Sequence, residues 1–144
     1  MSILTSLDCQ MKYGNPEKET NMVLWDVPKY LEIGAIPKRL YCNKDMIAPL
    51  TKAFERLIES GAVKELKTWD GCFNIRRKRS GATPSLHSWG VAVDLNAAWN
   101  RMGKTPTMPQ SVVKCFEEAG FDWGGKWRRP DGMHFQLKKE MVIK

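Results

Sequence analysis

No uncharged apolar run in this sequence approaches the ~20 residues needed to cross a membrane, so no membrane span is expected. No C-x-x-C pair occurs among its four cysteines, Cys9, Cys42, Cys72 and Cys115, and their spacings match no zinc ribbon or knuckle. The N-terminal octet ending at Asp8 lacks both the basic head and the apolar stretch of a secretory signal. The expectation is therefore synthesis and retention in the cytosol unless another route releases the chain. In that compartment a disulfide framework is not expected, and the cysteines read as partly buried thiols. Internal repeats and low-complexity segments are absent. Histidine is scarce: the chain has only His87 and His134.

Acidic residues are scarce in one half only. Residues 1–72 hold ten Lys and Arg against ten Asp and Glu, whereas residues 73–144 hold thirteen against six and carry the whole net charge of +7. A positive field so one-sided implies a polyanionic partner. Nucleic acid, an anionic membrane surface and an anionic cell wall all qualify, and charge alone does not choose among them.

A hydrophobic content of 42% in 144 residues supports the core of one ordinary domain, expected to span 1–144. A helix is expected over 44–60, capped by Asn43 and ended by Gly61, because Met46, Ile47, Leu50, Phe54, Leu57 and Ile58 recur on one face. A second is expected over 109–119, started by a Thr107/Gln110 capping box and stopped by Gly120. Short strands are expected at 39–42, 66–69, 73–75, 91–95 and 134–137. The polar segment 12–21 reads as a surface loop behind a short N-terminal arm. Two or three helices on a small, mostly antiparallel sheet make the expected class α+β.

Both histidines lie in unusual settings. His87 sits in a Ser/Gly loop that turns at Gly90 into the alternating run Val91-Ala92-Val93-Asp94-Leu95. His134 follows a Pro130-Asp131-Gly132 turn at the start of another strand. Two imidazoles and one carboxylate, His87, Asp94 and His134, suffice to hold a catalytic zinc with water in the fourth position. Asp131 then supplies a spare carboxylate beside the metal, which hydrolysis needs as a proton relay. The same ligand types hold non-haem iron. The spare carboxylate favours hydrolysis, and no strands long enough for an oxygenase barrel are visible. Trp89, Trp123 and Trp127 lie inside these motifs and are candidates to wall a cleft.

The pattern Ser85-x-His87-x-x-Gly90-x-Ala92-x-Asp94, followed by Asp131-x-x-His134-Phe135, resembles the zinc peptidoglycan peptidases. That family contains D-alanyl-D-alanine carboxypeptidases and dipeptidases, and the L-alanyl-D-glutamate endopeptidases of bacteriophage lysins. Gly71-Cys72-Phe73-Asn74-Ile75-Arg76 and the stretch from Ala119 to Trp127 extend the similarity to about residues 40–137. The resemblance implies one zinc ion held by His87, Asp94 and His134, with Asp131 as the catalytic acidic residue. It implies that Arg76 steadies the substrate carbonyl as charge develops, with neighbouring Arg77 as the alternative, and that Ser85 lines the substrate site. Lys78 and Arg79 read as a solvated loop.

The implied fold is the one these peptidases share with the hedgehog signalling domain, and the implied substrate is bacterial peptidoglycan. Without an export signal in the reading, a phage endolysin cutting the L-alanyl-D-glutamate bond is favoured. It would be made in the host cytoplasm and act on the wall after release. A D-alanyl-D-alanine carboxypeptidase with the same site and a catalytically silent zinc-containing wall-binding module are the alternatives. A nucleic-acid partner is not expected, because it leaves the His/Asp constellation unexplained. A monomer is expected.

Overall fold

A computed structural model describes residues 2–76 and 83–143. The alternative arginine, Arg77, and the loop residues Lys78 and Arg79 lie outside the described residues. The architecture is α+β, as expected, with two antiparallel sheets: β1 (Met22–Asp26) pairs with β2 (Arg39–Asn43), and a four-stranded sheet is built later in the chain.

The helix expected at 44–60 begins as a 3₁₀ turn, Lys44–Met46, and continues as α2 (Ile47–Ser60). The Asn43 side chain accepts from the Asp45 amide at 2.9 Å, and Gly61 ends the helix at φ 81°. Its buried residues Leu50, Ala53, Phe54 and Leu57 follow the helical period. Phe54 stacks on Trp25 of β1 at 6.2 Å and meets Trp69 edge-on at 5.6 Å, so this helix joins the two sheets. The second expected helix is α3 (Gln110–Ala119), which packs on α2 and stops at Gly120.

The Thr107/Gln110 capping box does not form. Pro109 stands at the N-cap, with no side-chain bond, and Thr107 lies two positions too early. Its hydroxyl donates instead to the Trp99 carbonyl at 2.8 Å. The segment expected as an arm and loop contains α1 (Ser6–Tyr13), whose capping box joins Thr5 and Asp8. Both ends of α1 are bonded to the chain around His87. Ser6 Oγ donates to the Pro84 carbonyl at 2.6 Å, and Trp89 Nε1 donates to the Gly14 carbonyl at 2.8 Å.

The four-stranded sheet contains β3 (Trp69–Gly71), β4 (Ala92–Leu95), β5 (Phe121–Trp123) and β6 (His134–Leu137) in the order β3-β4-β6-β5. Expected strand 66–69 is displaced toward the Gly71 end. Residues 73–75 are not a strand, because Asn74 N–H bonds the His87 carbonyl at 3.1 Å rather than a ladder partner. In the central pair Asp94 stands opposite His134, Val93 opposite Phe135 and Ala92 opposite Gln136. Alternation therefore sends Val93, Leu95, Phe135 and Leu137 to one face and Ala92, Asp94, His134 and Gln136 to the other. The first face meets the helices, with Phe135 4.9 Å from the ring of Phe116 in α3. A short helix, α4 (Lys139–Val142), follows β6.

Candidate active site

His87 rides on a buried 3₁₀ turn, Leu86–Trp89. The Ser85 hydroxyl caps it by accepting from the His87 amide at 3.3 Å. Ser88 ties it to the preceding loop, donating to the Arg76 carbonyl at 3.0 Å and accepting from the Arg76 amide at 3.1 Å. Gly90 closes the turn at φ 67°. A Cβ there would stand 2.8 Å from the backbone nitrogen of Asn43 and 2.7 Å from Met22 Cε, so only glycine fits.

This framework decides how the ring is used. His87 Nδ1 lies 2.7 Å from the Cys72 carbonyl, which can only accept, so Nδ1 carries the hydrogen and Nε2 the lone pair. Nε2 is buried without a hydrogen bond and stands 3.2 Å from Asp94 Oδ1. Two acceptors face each other, an arrangement that calls for a cation between them. His134 Nδ1 approaches the same carboxylate oxygen at 3.6 Å. One ligand atom from each of His87, Asp94 and His134 lies within 4.8 Å of the others, and this is the one such group among the described residues. The donor set fits a zinc ion with a position left for water.

The electrostatics agree. Burial opposes the charge on Asp94, but the neighbouring imidazoles, His134 first and then His87, outweigh it and hold the carboxyl well below its ordinary range. Burial likewise opposes a charge on His134, but Asp94, Asp131 and a bond to Gln136 outweigh it and raise that imidazole. A cation held between the three side chains would serve the same carboxylate.

Asp131 is positioned by its own backbone. Its amide donates to the Gly124 carbonyl at 2.9 Å, and its carbonyl accepts from the His134 amide at 3.1 Å. Burial raises its carboxyl, which also feels the charges of His134, Asp94, His87 and Arg76. Trp127 leans on the His134 ring at 5.3 Å.

A family model described as D-alanyl-D-alanine carboxypeptidase matches residues 78–137. The chain is also 26% identical, over a 160-residue alignment, to the peptidoglycan L-alanyl-D-glutamate endopeptidase CwlK of Bacillus subtilis (strain 168). That alignment covers 95% of this chain and 92% of the relative. The resemblance to the peptidoglycan peptidases holds. No solved structure matches.

Of the residues that this resemblance singles out, Ser85, His87, Asp94, Asp131 and His134 fall inside the stretch matched to the peptidase family, and Arg76 falls just outside it. Arg76 is exposed. Its side chain lines a cleft of about 520 Å³ together with Gln10, Asn15, Glu17 and Pro84. Ser85 is buried beneath the turn that it caps. Among the motif tryptophans, Trp89 and Trp123 are core residues, because their ring N–H groups bond the carbonyls of Gly14 and Gly132. Of the three, only Trp127 stands against a member of the His87, Asp94 and His134 group, the ring of His134. The sequence reading missed the Cys72 carbonyl and Gln136. A backbone carbonyl leaves no mark in a sequence, but Gln136 follows His134 by two positions on a strand and so shares its face.

Proposed function

We propose that the protein is a zinc-dependent peptidase that hydrolyses peptidoglycan stem peptides at the L-alanyl-D-glutamate bond, in the manner of an endolysin. The observation that carries this reading is the buried convergence of the His87 and His134 ring nitrogens on Asp94, with Asp131 close enough to feel all three. The breadth of the match to CwlK supports the choice of bond, since the match to the carboxypeptidase family covers only residues 78–137. Arg101, Lys104, Arg128 and Arg129 are exposed, and none forms an ion pair with a described residue. Such a surface suits a wall rich in carboxylate and phosphate. The protein acts as a monomeric single domain, reaching the wall from the host cytoplasm after release.

His87, Asp94 and His134 hold the zinc, which when bound makes water nucleophilic near neutral pH and polarises the scissile carbonyl. Asp131 takes the proton of the attacking water and passes it to the leaving amine. Its burial suits this work, because a raised carboxyl accepts and returns a proton more evenly. Arg76 offers a cation to the carbonyl oxygen as negative charge develops. Ser85, buried beneath the turn, serves the substrate site by accepting from the His87 amide and so holding that turn in place.

The test is digestion of purified peptidoglycan with and without a chelator, with products read by mass spectrometry. A chelator-sensitive new amino terminus on glutamate is expected. Release of terminal alanine would make the enzyme a carboxypeptidase with the same site. Bound zinc with no product would make it a silent wall-binding module.

A further inference from the structure

Gln136 is 2% exposed and stands on the site face of β6, two residues beyond His134. Both ends of its carboxamide are engaged. The Nε2 end donates to the main-chain carbonyl of Leu4 at 3.1 Å. That carbonyl can only accept, so it fixes which way round the amide sits. The Oε1 end must then face His134, and it lies 2.9 Å from the ring Nε2. An amide oxygen also only accepts, so His134 Nε2 carries the hydrogen. The lone pair of the neutral ring falls on Nδ1, the atom that faces Asp94 at 3.6 Å. Turning the amide over would set its oxygen against the Leu4 oxygen and lose that bond in a buried place, which is costly.

We propose that Gln136 is a positioning residue of the metal centre: anchored on the Leu4 carbonyl, it fixes the tautomer and ring orientation of His134 so that Nδ1 is presented to the metal. The proposal rests on the metal-centre reading above. It makes the two histidines a matched pair that use opposite nitrogens. His87 offers Nε2 because the Cys72 carbonyl holds its Nδ1 hydrogen, and His134 offers Nδ1 because Gln136 holds its Nε2 hydrogen. It also makes the N-terminal segment, which contributes no ligand, part of what determines metal affinity.

The test combines long-range ¹H–¹⁵N NMR of the imidazoles in the metal-free protein, at a pH where both rings are neutral, with zinc affinity measured against a competing chelator. In the wild type, His134 is expected as the Nε2–H tautomer and His87 as the Nδ1–H tautomer. In Gln136→Met, which keeps the length but removes the acceptor, His134 is expected to become a tautomer mixture while the His87 signals stay. Zinc affinity should fall by roughly 10- to 100-fold, the usual effect of losing a residue that orients a metal ligand. Gln136→Glu keeps an acceptor and is expected to keep the Nε2–H tautomer.

An Nδ1–H tautomer of His134 in the wild type overturns the proposal. So does a Gln136→Met protein, folded by its His87 signals, whose tautomer and zinc affinity are unchanged. If Gln136→Met does not fold, the wild-type and Gln136→Glu tautomers decide, and loss of Nε2–H in the latter overturns it. A wild type with the expected tautomers that binds no zinc refutes the metal-centre reading instead, so the two failures are told apart.

Discussion

Replacing Gly90 by alanine tests whether the turn carrying His87 is held by steric fit against the small sheet. Two costs arise. The first is backbone strain at φ 67°, about 1–2 kcal/mol for an L-residue in the left-handed region. The second is overlap with Asn43 N at 2.8 Å and Met22 at 2.7 Å. The methionine can swing away, but the Asn43 nitrogen is backbone and donates to the Gly90 carbonyl at 3.1 Å. Such overpacking costs about 1–3 kcal/mol. Against both stands a gain of about 0.4–1 kcal/mol from the stiffer unfolded chain.

Gly61→Ala isolates the first cost, because Gly61 has φ 81° and no atom within 4 Å of its would-be Cβ. Urea unfolding should therefore show a loss of about 1 kcal/mol for Gly61→Ala and about 2–4 kcal/mol for Gly90→Ala. Only Gly90→Ala should also weaken zinc binding, since its relief moves the turn. Equal losses to within about 0.5 kcal/mol, with zinc affinity unchanged in both, would refute the steric argument.

His87→Ala, Asp94→Ala and His134→Ala should each abolish chelator-sensitive hydrolysis and tight zinc binding. Full activity in a zinc-free variant would sink the metal assignment. Asp131→Asn should keep zinc and lose about 10²- to 10⁴-fold in turnover, which single-turnover assays would read. Thr5→Ala removes the capping box of α1 and should cost about 1 kcal/mol in urea unfolding, with no change at all counting against the cap. Burial pushes the Cys42 thiol up to about 12 and also raises that of Cys72, so neither should react with Ellman's reagent at pH 8 until guanidinium unfolds the chain. The sign follows for stability: an unfolded cysteine ionises near pH ~8.5 while the folded one does not, so these thiols should make unfolding easier as pH rises above that value. Rapid labelling of the native protein would contradict their burial.

Elements that carry their own punctuation were legible in the sequence. Asn43 and Gly61 bracket an apolar period that no other structure satisfies, and β6 reads directly from the chain after the Asp131 turn. The convergence of His87, Asp94 and His134 was legible because these residues sit on a tight turn and in two short strands whose local sequence is distinctive. Strands of three residues were not, because Trp69–Gly71 and Phe121–Trp123 are strands only through partners far along the chain. The polar helix α1 was hidden by its composition, although Thr5-x-x-Asp8 was a readable start signal. Tautomers were hidden altogether, since they depend on which carbonyl lies across the fold.

The register between β4 and β6 carries a consequence for how this site can change. Asp94 faces His134, and the neighbouring pair Val93 and Phe135 points the opposite way into the core. A slip of one residue in either strand would invert its whole alternation. A histidine or aspartate would enter the apolar layer beneath α3, and a valine or phenylalanine would stand where a ligand belongs. Insertions and deletions in these strands therefore cannot yield a folded chain with a displaced centre; they remove fold and chemistry together. Variation that preserves the fold is channelled into the segments between the strands, where exposed residues can be rewritten while Asp94 and His134 stay opposite each other.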